Sequence, residues 1–512
     1  MRSINEMYFS HRIKNNQRAF LRMERAVARE RDLAKRCVLA KQAADFAVMH
    51  TTDIFSSPIV EEPFITLAQK IKIPLSKKYT PKTTLHVMTE SYTSGGHTRC
   101  VERWAQQMTK YKHSCVILRQ HADIPKQLGQ IMRDSGGELI VFNPNETIVQ
   151  SAMRLRELAS KYELIVLHIH MNDPIALVAF GTTEFTRPVI FFNHADHAFW
   201  VGVSISDWVA DLNYNRNQLT LKSRGTNRAS VLGIPADNTK LLKISKTDAR
   251  KKLGLPLDKK IIFSSGQPTK YDPLGHPDFS DLIQDVIKQD KNILFYIAGA
   301  NKNAIFWPKM LRKYPNNLFL TGRLDYATEY PMYLAASDLV IDSFPVGGET
   351  AVIDAVKAGK PVLTSNHLFQ EDFLTESIGS CHDYTELLEK THKISNDRAF
   401  AKKVYQDIYS RFIDATDTKK WTDRCNKIIS KLPKQHKVYK VKSCAPTKDI
   451  TVYSWSTTRW TEPIDKVFSL SRFRKWLISV HLSRHSCLIR ICGIYLLNKR
   501  SKNEYNTKNF TI

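Results

Sequence analysis

A chain of 512 residues is too long for one ordinary hydrophobic core and, at roughly 150 residues per domain, should hold two or three domains. Hydrophobic residues at 42% and charged residues at 25% exclude wholesale disorder and collagen-like repeats. Lys and Arg number 76 against 50 Asp and Glu, and the resulting net charge of +26 predicts a polyanionic neighbour: nucleic acid, an anionic membrane leaflet or an acidic substrate.

Eight cysteines are scattered without a Cys-x-x-Cys pair, which favours reduced thiols and gives zinc no support. Residues 1–36 lack the apolar stretch of about 7–15 residues that an export signal carries. The longest apolar run, 487–497, contains Arg490 and falls short of the roughly 20 residues that span a bilayer. The expectation is a cytoplasmic protein, soluble or peripheral at the inner face of a membrane.

The first segment, 1–80, reads as a basic helical extension. Phe20, Leu21, Ala26, Val27, Leu33 and Ala34 recur near helical spacing among Arg18, Arg22, Arg25, Arg29, Arg31, Lys35 and Arg36. The spacing fits an amphipathic helix packed on a later domain, or a contact with an acidic partner. From residue 81 the pattern becomes strand, loop and helix. Apolar runs at 85–88, 115–118, 139–142, 164–167 and 189–192 alternate with helical stretches at 101–108, 125–132, 148–158 and 175–180. Buried strands alternating with helices predict a parallel sheet with right-handed crossovers. A linker at 233–258, marked by Pro235 and Pro256, leads to a second series with strands at 261–264, 293–298, 318–321, 339–342 and 361–363.

The predicted fold class is therefore α/β, with two Rossmann-like domains (81–235 and 236–432) facing across a cleft. In such sheets ligands lie beyond the carboxyl ends of the strands. After residue 433 the alternation stops. Residues 471–500, within the basic extension 433–512, have no acidic residue. They set Phe473, Trp476, Leu477, Val480, Leu488 and Ile491 against Arg472, Lys475, Arg484, Arg490 and Lys499. That pattern suits an anionic membrane surface. A helix docked on the protein's own surface fits it as well.

The most informative segment is 337–366, SDLVIDSFPVGGETAVIDAVKAGKPVLTSN. A buried strand enters a Pro-Val-Gly-Gly loop, a helix opens near Glu349 and Thr350, and another strand follows Gly359. Unpaired N–H groups and the dipole at a helix start favour an anion. Gly347 and Gly348 allow close approach of a phosphate, Thr350 adds a hydroxyl, and Asp354 lies one turn on.

These residues resemble the donor-binding half of GT-B glycosyltransferases, over roughly residues 84–430. The resemblance implies a nucleotide-sugar donor held by the C-terminal domain and a glycan, lipid-linked or protein acceptor on the N-terminal one. The family's carboxylate followed by Gly-x-Pro matches Asp354, Gly359 and Pro361, which implies a ribose contact for Asp354. Retaining members with two glutamates eight apart would place the first at Val346, and Glu349 stands three residues on. This departure shifts the resemblance toward the O-linked N-acetylglucosamine transferase branch and toward inversion, with the stereochemistry left open. UDP is the nucleotide that the resemblance implies.

Three further loops follow strands. In Ser264–Pro273, with Gly266, the resemblance gives Lys270 the donor diphosphate, where a cation stabilises charge on the leaving group. The loop Gly322-Arg323-Leu324-Asp325-Tyr326 would border the base, or Arg323 would meet a phosphate. On the acceptor side lies the turn with Gly95, Gly96 and His97, which also reads as a simple tight turn.

Two histidines and a carboxylate, His194, Asp196 and His197, directly follow the strand at 189–192. An imidazole of near-neutral pKa can take a proton from an acceptor hydroxyl, with Asp196 as base or orienting group. His168 and His170 end the preceding strand. Metal ligation by His194 and His197 finds no third ligand at a telling spacing, and the chain has no Asp-x-Asp. No metal or cofactor is expected. Two other readings stand beside sugar transfer: a polyanion or nucleic-acid binder, against which no RNP strand, finger or zipper appears, and a related two-domain polyol-phosphate transferase or nucleotide-sugar epimerase.

Overall fold

The computed structural model describes residues 4–93, 96–195, 198–235, 244–271, 277–300, 302, 307–344, 347, 348, 350–365, 372–444 and 506–511. The chain divides into two compact units, 1–235 with 422–512, and 236–421.

The first unit holds seven parallel strands: β1 (Thr80–Met88), β2 (Lys112–Ile117), β3 (Leu139–Val141), β4 (Tyr162–His168), β5 (Val189–Phe192), β6 (Trp208–Asp211) and β7 (Ala229–Val231). Their order is β3-β2-β1-β4-β5-β6-β7. Strands such as Leu164–Leu167 are apolar on both faces because helices cover both sides of a parallel sheet. The short β6 and β7 fall outside the runs expected from the sequence. They carry Asp211 and Ser230 and are too brief for an apolar signal.

Helices within 1–80, read from the sequence as a basic extension packed on a later domain or meeting an acidic partner, share the core of this unit. Three helices, α1 (Ile4–Arg29), α2 (Leu33–Met49) and α3 (Pro58–Lys70), bury Phe20, Val27, Cys37, Ala40, Val60 and Phe64 in one cluster with Leu85, Val87, Ile165 and Leu167 of the sheet. Asp32 and Ser57 cap α2 and α3 by accepting from the Lys35 and Val60 N–H groups. Ala40, Ala43, Ala44 and Ala47 let α2 pack closely. Small residues give a faint periodicity, so the arginine-rich outer face of α1 dominates the sequence pattern.

Charged side chains inside this unit hold backbone groups that no ladder satisfies. The Arg156 guanidinium donates to the carbonyls of Ala68, Ile71, Val178 and Ala179. Glu61 accepts the N–H groups of Gly202, Val203 and Ser204. From residue 433 the chain runs back over the unit, where Asp207 accepts from His436, the Lys437 N–H and the Tyr439 hydroxyl. Phe510 is 2% exposed and lies beside Phe64. Residues 433–444 and 506–511, within the stretch expected as an extension, thus contribute packing to this unit. The segment 471–500 lies outside the described residues.

The second unit holds six parallel strands: β8 (Lys260–Ser265), β9 (Ile293–Ala298), β10 (Leu318–Gly322), β11 (Leu339–Ile341), β12 (Val362–Ser365) and β13 (Ser380–Cys381), ordered β10-β9-β8-β11-β12-β13. Helix Phe279–Gln289 begins in a capping box of Asp278 and Asp281. Both sheets have the doubly wound order, reversing direction between β1 and β4 and between β8 and β11. Among the described residues no helix is long and apolar enough to cross a membrane.

Removing the Arg156 guanidinium strands four buried carbonyls. Arg156→Met should destabilise the first unit by on the order of 3 kcal/mol, measured as faster amide exchange in β4 with exchange in β8 unchanged.

Candidate active site

In the second unit the loops leaving β8 and β11 meet at the reversal of strand order. Tyr271 ends a 3-10 turn (Pro268–Tyr271), is fully buried and bonds Ser264 Oγ at 3.0 Å. Burial pushes its phenol pKa up. With Tyr271 anchored, the preceding Lys270 reaches across the gap and donates from Nζ to the Gly347 carbonyl at 2.5 Å. The expected cation and glycine turn are brought together.

The turn itself is held from below by Asp342, at the end of β11 and 5% exposed. Its Oδ1 accepts the Gly348 N–H at 2.6 Å, and its Oδ2 accepts from the Thr364 hydroxyl at 3.4 Å. A Cβ on Gly348 would lie 2.8 Å from Asp342 Oδ1, so only glycine fits without opening the turn. One on Gly266 would meet Ser343 Oγ at 3.1 Å and Lys270 Cδ at 3.4 Å. The Gly348 N–H is therefore bonded within the turn, to Asp342. Lys270 and Thr350, each partly exposed, are the polar groups this turn presents. Glu349 lies outside the described residues.

Asp354 is 3% exposed, on helix Thr350–Lys357, and its Oδ2 accepts from the Tyr326 hydroxyl at 2.9 Å. Tyr326 stacks on Tyr330, with ring centroids 5.6 Å apart, and Tyr330 approaches Ser265 Oγ at 3.4 Å. Burial first and the Asp354 charge second raise the Tyr330 pKa, so its phenol stays a neutral donor. A carboxylate on the helix is thereby tied to the loops leaving β8 and β10. Arg323 is exposed on the second of these.

In the first unit, four histidines form a row. Met108 O accepts from His113 Nε2 at 3.0 Å, and His113 Nδ1 meets His86 Nε2 at 3.1 Å. His86 Nδ1 meets His168 Nε2 at 3.1 Å, and His168 Nδ1 meets His194 Nε2 at 2.9 Å. Strand register explains the row. Thr84 pairs with His113 and Met88 with His168, so each step from β2 to β1 to β4 rises two residues on one sheet face. The next step reaches His194, two residues beyond Phe192 of β5. Trp104, on helix α4 (Gly96–Gln107), covers His86 and His168 at centroid distances of 5.8 and 6.2 Å.

His97, in the first turn of α4, has its ring 4.3 Å from that of His194. It bonds the His168 carbonyl, and its buried Nδ1 has no hydrogen-bond partner among the described residues. Burial holds His86, His168 and His194 well below the usual imidazole pKa, and takes His113 to about 4 and His97 to about 3. All five are neutral at pH 7. His168 is fully buried and does not line an open surface, whereas partly exposed His170 bonds the Tyr92 hydroxyl at 2.7 Å. Asn193 precedes His194 and anchors the loop by donating to Asp211 at 2.7 Å. Gly95, Asp196 and His197 lie outside the described residues. Among the described residues no group of three His, Cys, Asp or Glu side chains is placed to hold a metal ion.

No family model and no curated protein matches the chain. Solved structures do. HepE from Anabaena, crystallised with UDP and glucose, matches with a TM-score of 0.53 at 14% identity, over 68% of this chain and 100% of that one. A glycosyltransferase from Rickettsia africae matches with a TM-score of 0.55 at 12% identity, over 69% and 99%. A Thermobaculum terrenum O-GlcNAc transferase matches with a TM-score of 0.50 at 10% identity, over 81% of each chain. The chain has the GT-B fold. Its two sheets are the paired Rossmann-like halves of GT-B, and the Lys270 turn and the histidine row stand at the strand-order reversals of the second and first halves.

Sequence reasoning missed His86, His113, Asp342 and Tyr330 in these GT-B sites. A single histidine in an apolar strand reads as core, and only register lines four of them up. Asp342 carried a signal, a carboxylate at a strand end six residues before Gly348, that was read as part of the strand. The row also sets an acid limit on stability. Unfolded, His113 binds a proton near pH 6.5, whereas folded it resists until about pH 4. Its contribution is therefore complete above pH 6.5 and is lost as pH falls toward 4, by about 1.4 kcal/mol per pH unit. His113→Asn should flatten the decline in melting temperature of the first unit over that window, measured between pH 7 and 4.

Proposed function

We propose that this GT-B chain is a metal-independent glycosyltransferase that moves a sugar from a nucleoside-diphosphate donor, UDP-sugar by preference, to a glycan, lipid-linked or protein acceptor. The observation that carries the reading is the Lys270 ammonium seated on the Gly347 carbonyl, at the strand-order reversal where such sheets bind ligands. In this structure the cation rests on a neutral carbonyl. Diphosphate oxygens are stronger acceptors and would draw it away, forming charge-assisted bonds that strengthen as negative charge builds on the leaving nucleotide. Asp354, linked to Tyr326, is the carboxylate assigned to the ribose. The UDP seen in the HepE crystal supports the choice of nucleotide.

Chemically, the acceptor oxygen attacks the anomeric carbon and loses its proton to a base. The bond from that carbon to the phosphate oxygen breaks, and its electron pair leaves with the nucleoside diphosphate. His194 is the assigned base, with Asp196 and His197 beside it in the sequence. The net charge of +26 and segment 471–500 are assigned to an anionic membrane surface at the cytoplasmic face.

Three measurements test this. UDP and UDP-sugars should raise the melting temperature of the wild type more than GDP-, CMP- or ADP-sugars do. Lys270→Ala should weaken nucleotide affinity about tenfold or more, and Asp354→Asn should act in the same direction. Undiminished nucleotide affinity in both variants would remove the donor-site assignment. Replacing Arg472, Lys475, Arg484 and Arg490 together by Gln should weaken binding to phosphatidylserine vesicles by about 4 kcal/mol, at about 1 kcal/mol per cation. Unchanged vesicle binding would refute the membrane assignment.

A further inference from the structure

We infer that His113, His86 and His168 are positioning residues that fix the tautomer of His194, so that its Nδ1 is held unprotonated as a proton acceptor. The Met108 carbonyl can only accept, so the facing His113 Nε2 must carry hydrogen. A neutral imidazole has one N–H and one lone pair, which leaves His113 Nδ1 as an acceptor. It therefore takes the hydrogen of His86 Nε2. By the same rule His86 Nδ1 accepts from His168 Nε2, and His168 Nδ1 accepts from His194 Nε2. A single backbone oxygen thus sets the polarity of four rings, and the lone pair that emerges at the far end is His194 Nδ1.

The deduction requires every ring to be neutral, and the environment supplies that. His86, His113 and His168 are each fully buried, and the rings beside them are those of one another, of His194, Trp104 and Phe192 and, farther off, of Tyr111 and His97. Around His194 the facing titratable groups among the described residues are His97 and His168. His97 has the same sense. It bonds the His168 carbonyl through one nitrogen, and its Nδ1, without a partner among the described residues, is the lone-pair side. The His168 residue therefore receives both neighbours, His194 at its ring and His97 at its carbonyl.

The inference rests on the transferase reading only for the source of the proton. During transfer, His194 Nδ1 takes the acceptor's hydroxyl proton while the C–O bond to the sugar forms and the bond to the diphosphate breaks. The resulting imidazolium keeps its Nε2–H on His168 Nδ1. The reverse tautomer would present an N–H to the hydroxyl and could not accept.

The test is the nitrogen NMR spectrum of full-length protein labelled with 15N-histidine, without substrate, the resonances assigned by single replacements. The wild type should show His194 protonated at Nε2 and bare at Nδ1. His113→Leu removes the link to Met108, and a population of His194 protonated at Nδ1 should appear. His113→Asn places an amide oxygen about where Nδ1 stood, and should restore the original state. Turnover should follow: a fall of about tenfold or more in kcat for His113→Leu, with nucleotide affinity unchanged, and recovery in His113→Asn. A wild-type His194 protonated at Nδ1, or a tautomer indifferent to His113→Leu in protein whose near-ultraviolet circular dichroism is native, would overturn the inference. The expected tautomers in a protein that transfers no sugar would support the row and overturn the transferase reading instead.

Discussion

Where the strand order of a parallel sheet reverses, the crossover helices leave in opposite directions and no helix covers the carboxyl ends of the two central strands. Everything distinctive in this molecule follows from that exposed gap, present once in each sheet. In the second sheet it opens between β8 and β11, and a lysine from one loop closes on the glycine turn of the other. In the first it opens between β1 and β4, the two strands that carry the central pair of the histidine row.

The two gaps are furnished differently. In the second unit the contacts are charged or polar groups gripping backbone: Asp342 on the Gly348 N–H and Lys270 on the Gly347 carbonyl. The turn is thus held by a carboxylate on one side and a cation on the other. In the first unit the polar groups are neutral rings inside a packed sheet. An unpaired imidazole there would cost about 1–3 kcal/mol. The row avoids that cost by pairing each ring with the next, and it needs only one outside acceptor, Met108 O. The same pairing that makes the histidines tolerable in the core also gives them a direction.

Packing around the gaps is what keeps them in place. α1, α2 and α3 thicken the core beneath the first sheet, and Arg156 and Glu61 satisfy the loop and helix-end groups that the sheet leaves open. The returning chain at 433–444 adds His436, bonded to Asp207, to the same scaffold. Asn193 and Arg224 clamp the two sides of the His194 loop, Asn193 through Asp211 and Arg224 through the Ala198 carbonyl. Such clamps fix where the His194 ring sits.

The sequence alone determined the alternation of apolar strands and helices, and with it two parallel sheets, because burial on both faces writes a continuous hydrophobic run. It also marked the Gly347-Gly348 turn, Lys270 and His194, since strand ends and glycine pairs are local features. Tertiary structure decided what local pattern cannot carry. That Asp342 holds the Gly348 N–H, that Tyr326 bonds Asp354, and that the helices within 1–80 join the core of the first sheet all depend on groups distant along the chain. The histidine row shows this most plainly. His86, His113, His168 and His194 are spread over more than a hundred positions, and only the two-residue rise between neighbouring parallel strands brings their nitrogens into line.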